Sequence, residues 1–119
     1  MRFDPLSLKY DNEGLIPVIA QDHATRDVLM FAWMNAGAVA RTLDTARMTY
    51  WSRSRQAFWV KGESSGHEQH LRDLRIDCDR DCLLALVWQE GPACHTNRMS
   101  CFFTAIRDGG EVELIKPML

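Results

Sequence analysis

The stretch HLRDLRIDCDRDCLLALVWQE, residues 70–90, decides how much of this chain is built from strands. Its opening, 70–78, sets Leu71, Leu74 and the aliphatic stem of Arg75 at no clean helical period and reads as a strand. Its close, LLALVWQE (83–90), is a short apolar run that suits a buried strand or a buried helix equally. Between them Asp77, Asp79 and Asp81 alternate with Cys78, Arg80 and Cys82. If 75–81 is extended, the aspartates share one face and the cysteines the other. Cys78 and Cys82 would then stand roughly 13 Å apart and could not reach one metal ion unless the chain turned.

Outward from this stretch the signals are mostly those of strands. GLIPVIAQD (14–22) and DVLMFAWM (27–34) flank HATR and predict a hairpin. Asn35 reads as the N-cap of a helix, AGAVARTLDTARM, with Ala36, Val39, Ala40 and Leu43 at helical spacing. MTYWSRS (48–54) and AFWVKG (57–62) carry the aromatic and β-branched residues of a second hairpin. ESSGHEQH (63–70) is turn-like, and CFFTAIRDGGEVELI reads as strand, Asp-Gly-Gly turn, strand. These elements predict one β-rich α+β domain over residues 1–119, with its main helix near 35–47.

Composition bounds the function. With 119 residues, 46% hydrophobic and 25% charged, the chain has the balance of a single globular domain. A net charge of −2 supplies no broad basic field, so nucleic acid is not an expected partner. The N-terminus has no apolar signal-like core, and no apolar run approaches the ~18 residues of a membrane span. The expectation is a cytoplasmic protein whose thiols stay reduced, which demotes a structural disulfide.

All four cysteines lie between positions 78 and 101. Such a cluster in a reducing compartment more often binds metal or does chemistry. Three residues separate Cys78 from Cys82, a spacing that could pass as half of a structural zinc site, whereas the six between Cys94 and Cys101 are too wide for a tight knuckle. An extended 75–81 favours three zinc ligands, Cys78, Cys94 and Cys101, with Cys82 a small buried residue. Three protein ligands and an open position are the pattern of a catalytic zinc. The aspartates suit a hard cation such as Mg²⁺, or form a solvated acidic face relieved by Arg72, Arg75 and Arg80. His95, beside Cys94, is better placed for proton transfer than His67 in SSGHEQ. Arg53, Arg55, Lys61, Ser64, Ser65 and Gly66 offer cations, hydroxyls and backbone N–H groups to a phosphate, though turn-forming residues alone would look much the same.

Taken in order, MN (34–35), YWSRSR (50–55), WVKGESSGHEQ (59–69), DCDRD (77–81) and ACHTNRMSCF (93–102) resemble the phosphoribosyl-AMP cyclohydrolases of histidine biosynthesis, over about residues 15 to 105. The resemblance implies magnesium on Asp77, Asp79 and Asp81, and zinc on Cys78, Cys94 and Cys101. It implies an intertwined homodimer built on a small mixed sheet or pseudo-barrel, with one zinc per subunit whose ligands come from both subunits. The implied reaction is hydrolytic opening of the adenine ring of phosphoribosyl-AMP at N1–C6 by a zinc-activated water, with His95 or His67 moving protons. Two alternatives stand beside it: a zinc-stapled interaction module using all four cysteines, and a deaminase-like hydrolase. The latter's H-x-E and P-C-x-x-C signature is absent.

The chain departs from the family pattern in three places. ESSG stands for the usual E-T-S-G, and Asn97 for a glycine whose left-handed turn asparagine tolerates. Cys82 stands for a small residue. Many family members also carry a pyrophosphohydrolase domain for the preceding step, an activity expected to reside elsewhere here.

Overall fold

The computed structural model describes residues 2–118. A short 3₁₀ turn, Pro5–Ser7, precedes β1 (Ile16–Asp22) and β2 (Val28–Met34), and the helix α1 (Ala36–Thr45) follows. Then come β3 (Thr49–Ser52), β4 (Ala57–Val60), β5 (Gln69–Ile76), β6 (Leu83–Gln89), β7 (Thr104–Arg107) and β8 (Gly110–Glu113). The mixed α+β architecture and all three expected hairpins, β1–β2, β3–β4 and β7–β8, are present.

The apolar run 83–90 resolves as strand. β6 lies inside a four-stranded mixed sheet of order β2-β1-β6-β5, parallel to β1 and antiparallel to β5. Its partners on both sides account for the continuous apolar sequence, because an inner strand is largely covered. Ile16, Val18, Ala20, Leu83, Ala85 and Val87 form one buried face, joined by Leu29, Met34, Val39, Met48 and Tyr50. Within that core the Tyr50 hydroxyl donates to Gln69 Oε1 at 2.6 Å, and the Gln69 side-chain amide reaches Met30 Sδ at 3.4 Å. Two buried polar groups are thereby satisfied.

The helix begins as its sequence predicts, with Asn35 Oδ1 accepting from the Ala38 amide at 2.8 Å. Its buried face is Ala38, Val39 and Thr42, whereas Leu43 is 44% exposed. The phase through Leu43 was therefore not the core phase. Thr42 decides it, since its hydroxyl accepts from the Thr49 amide at 3.0 Å and locks that side of the helix onto β3.

A second correction bears on function. Residues 77–82 do not continue β5: they form the turn of the β5–β6 hairpin. Asp77 Oδ1 accepts from the amides of Asp81 (2.9 Å) and Cys82 (3.2 Å), and Arg80 takes a left-handed φ of 65°. An aspartate that satisfies amides four and five residues on competes with continued pairing. The aspartates converge because the chain turns, and the argument that strand spacing separates Cys78 from Cys82 no longer applies.

Candidate active site

Two clefts meet at the end of the sheet where β6 finishes. One, of about 420 Å³, is lined by Arg55, Phe58, Trp59, Lys61, Glu63, Ser64 and Ser65. The other, about 330 Å³, is bounded by Met30, Trp59, Lys61, His95, Cys101 and Phe102. Trp59 and Lys61 belong to both. The loop between β4 and β5 owes its shape to Gly62 at φ +81°, where a Cβ would fall 2.5 Å from the Glu68 amide nitrogen. Only glycine permits that approach. Gly66, also at positive φ, donates its amide to Gly62 O at 2.8 Å and closes the loop.

Lys61 is the hinge of this arrangement. Its Nζ donates to Ala93 O at 2.5 Å and so ties the loop to the segment carrying Cys94. Burial lowers its pKa, opposed by the nearby Cys101 and Cys94. Cys94 is buried, and Thr96 Oγ1 donates to its Sγ at 3.0 Å. Burial alone would raise the Cys94 pKa. Hydrogen bonds from Thr96 and Cys101, with the charge of Lys61, outweigh it and lower the pKa. Cys101 goes the other way, pushed up to about 11 by burial and by the neighbouring Cys94. Near neutral pH Cys101 therefore keeps its proton beside Cys94 unless a cation joins the pair. That is the electrostatic setting in which a thiophilic ion binds, and the donor pair fits zinc.

The backbone around the pair is fixed independently of metal. Cys94 donates its amide to Arg98 O at 3.0 Å, and Asn97 sits at φ 66°, in the left-handed conformation expected of it. Cys101 donates to Leu29 O at 2.7 Å, and the Ser100 hydroxyl donates to Val28 O at 2.7 Å.

Cys78 is elsewhere. It lies exposed in the β5–β6 turn, while Cys94 follows the far end of β6. The seven residues of β6 separate those ends by about 20 Å. Among the described residues no converging group of three metal-binding side chains contains a cysteine, so neither the three-cysteine set nor a four-thiolate knot assembles within one chain. The carboxylates of Asp77, Asp79 and Asp81 do converge, with ligand atoms within 4.8 Å of one another. A hydrogen bond from Asp81 to Asp77, with repulsion from Asp77 and Asp79, raises the Asp81 pKa. Three exposed oxygens that repel one another fit a hard divalent cation.

The remaining expected residues divide. Arg55, Lys61, Ser64 and Ser65 share the larger cleft, whereas Arg53 stacks its guanidinium on Trp33 at 4.7 Å. His95 borders the cleft of Cys101. His67 packs instead against Gly91, and its backbone amide donates to Ser65 Oγ at 3.1 Å.

The family model for phosphoribosyl-AMP cyclohydrolase matches residues 30–103, the span that builds this site. The chain belongs to the phosphoribosyl-AMP cyclohydrolase family. The phosphoribosyl-AMP cyclohydrolase of Dinoroseobacter shibae is 73% identical over 119 residues, the whole of both chains. That of Ruegeria pomeroyi is 72% identical, again over the full length of both. That of Paracoccus denitrificans is 71% identical over 115 residues, 97% of this chain and 95% of the relative.

Within the motifs read from the sequence, the structure gives roles to residues not singled out there: Thr96 holds the Cys94 thiol, Ser100 ties the segment before Cys101 to Val28, and Glu63 lines the cleft wall. Thr96 lies two residues from Cys94, a spacing that could have marked it. It also adds a cluster of Glu68, His70 and Glu90 that no motif signals.

Proposed function

We propose that this chain catalyses the cyclohydrolase step of histidine biosynthesis, adding water to C6 of the adenine ring of phosphoribosyl-AMP and breaking N1–C6. The product is an imidazole carboxamide bearing a formimino arm. The observation that carries the reading is the Cys94–Cys101 pair with His95 and Lys61 at the meeting of two clefts, in a chain of this family.

Cys94 and Cys101 of one chain, with Cys78 of a second copy, would hold zinc; bound there, it supplies Lewis-acid activation of water at neutral pH. Asp77, Asp79 and Asp81 would hold magnesium. The ~20 Å between the ends of β6 is what favours a homodimer over a single-chain site.

The chain's own residues then do three things. Arg55, Lys61, Ser64 and Ser65, with the backbone at Gly66, bind the two phosphates, and Trp59 walls the cleft in which the ring sits; Arg53, stacked on Trp33, is the weaker candidate for a phosphate contact. Water brings two protons: His95 takes the first on attack and returns it to N1 as N1–C6 breaks, and the second passes from the C6 hydroxyl to the exocyclic imino nitrogen, giving the carboxamide C=O and NH2. His67, packed away from the cleft, is the weaker candidate for that role. A cytoplasmic location accompanies this reading, because free thiols persist there.

The test is turnover of phosphoribosyl-AMP followed by ultraviolet absorption as the ring opens, before and after zinc chelation and with zinc restored. Activity that dies with chelation and returns with zinc is the expected result. A folded protein, loaded with zinc and supplied with magnesium, that turns over no substrate would defeat the proposal.

A further inference from the structure

On the outer side of the sheet, at the end of β6 nearest the clefts, Glu68, His70 and Glu90 bring one imidazole nitrogen and two carboxylate oxygens within 4.8 Å of one another. His70 Nε2 lies 3.3 Å from Glu68 Oε1 and 3.5 Å from Glu90 Oε2. A charge-assisted N–H···O bond closes to about 2.7–2.9 Å, so both separations are long for a histidine clasped by its neighbours. They match another geometry. Donors about 2.0–2.1 Å from a tetrahedral zinc stand roughly 3.3–3.4 Å from each other.

We infer that Glu68, His70 and Glu90 form a second divalent-cation site, separate from the cysteines and the aspartate turn, which takes a first-row transition ion such as zinc, cobalt or nickel. The donor set, one imidazole and two carboxylates, is of the type those ions accept. Each ligand is oriented from outside the cluster. Arg47 Nη2 binds Glu68 Oε2 at 3.1 Å, which leaves Oε1 directed at His70. Trp88 packs on the His70 ring with centroids 5.3 Å apart. The Glu90 amide donates to Glu68 O at 2.9 Å and fixes the two glutamates in register. Such outer contacts set ligand geometry before an ion arrives. The three side chains are 29%, 35% and 42% exposed, buried enough to be held and open enough for an ion to enter. Two carboxylates face the single guanidinium of Arg47, an acidic balance that suits a divalent cation.

Cobalt distinguishes this site from the thiolates. Cobalt bound by cysteine gives intense sulfur charge-transfer absorption, whereas cobalt on imidazole and carboxylate does not. Metal-free full-length protein is titrated with Co²⁺ under excess Mg²⁺, following heat and absorption together. The expected result is one equivalent without the sulfur signature that weakens at least tenfold in His70→Gln and in the Glu68→Gln/Glu90→Gln double variant. The sulfur-bearing equivalent should be unchanged. Anomalous scattering from cobalt-soaked wild-type crystals, which needs no variant to fold, should place a peak beside His70 Nε2. An unaltered titration in His70→Gln, or no peak at His70, would overturn the inference. Loss of the sulfur signature alone would count against the cysteine site and leave this one standing.

Discussion

A heterodimer built from two damaged chains should recover a zinc site that neither chain's own homodimer has. One chain carries Cys78→Ser and its partner Cys94→Ser, with different affinity tags, and the tandem-purified heterodimer is compared with each variant homodimer. If Cys78 of one chain joins Cys94 and Cys101 of the other, one site in the heterodimer receives both lesions and the other receives none. The heterodimer should then hold about half the zinc of the wild-type dimer and show about half its turnover, as two-fold symmetry dictates. If all ligands came from one chain, both sites would stay defective and the heterodimer would be as empty as the homodimers. Distance favours the first of these outcomes, since the seven residues of β6 hold the Cys78 turn about 20 Å from the Cys94 end. A double lesion of Cys94→Ser and Cys101→Ser paired with wild type should give the same half, whereas Cys82→Ala should cost no zinc. Zinc content by atomic absorption and turnover by ultraviolet assay read the result, and a heterodimer no fuller than its parents refutes the reasoning.

Three further outcomes follow from local geometry. Zinc affinity should rise at least about tenfold per pH unit from pH 7 toward the Cys101 pKa of about 11, because binding must displace that thiol's proton; competition with a chromophoric chelator measures the slope, and a flat profile contradicts it. Gly62→Ala should cost at least about 2 kcal/mol in urea unfolding, since the new Cβ meets backbone atoms of His67 and Glu68 at 2.5 Å and φ is +81°. Asn97→Ala should lower stability by about 1 kcal/mol and Asn97→Gly should not, because the position is left-handed; equal thermal midpoints for the two variants would show that the turn adapts.

What the sequence made legible was whatever a single element encodes. The Asn35 cap, the β1–β2 hairpin and the turn between β7 and β8, with Asp108 and Gly109 both at positive φ, are local signals that the fold obeys. Helix phase was not legible, because an alanine-rich helix offers two apolar stripes, and a hydroxyl on Thr42 rather than hydrophobicity selects one. The D-x-D-x-D alternation imitated a strand, while the force that bends it, an aspartate side chain collecting amides four and five residues on, has no period at all. Glu68, His70 and Glu90 meet only because β5 and β6 pair in one register, which spacing along the chain cannot express.

That turn also changes how the candidate site must be understood. As an extended strand, 75–81 would have run the aspartates and Cys78 along the sheet, and loops of the same chain could have reached them. As a hairpin turn, it fixes the aspartates and Cys78 at one end of β6 and the Cys94–Cys101 pair at the other. A reaction that needs both ends therefore needs two copies of the chain. The surface near Cys101 favours such a pairing. Phe102 is 56% exposed and Ile106 84%, and Val112 and Leu114 on and just after β8 are also open to solvent. In the β7–β8 register Ile106 pairs with Glu111 and Val112 with Ala105, so the hairpin opens apolar side chains on both of its faces, which is costly in water and which a second copy packed against it would relieve. On this account the exposed hairpin and the divided metal ligands have one cause, and a variant such as Ile106→Glu that blocks association should lose zinc without touching a single ligand.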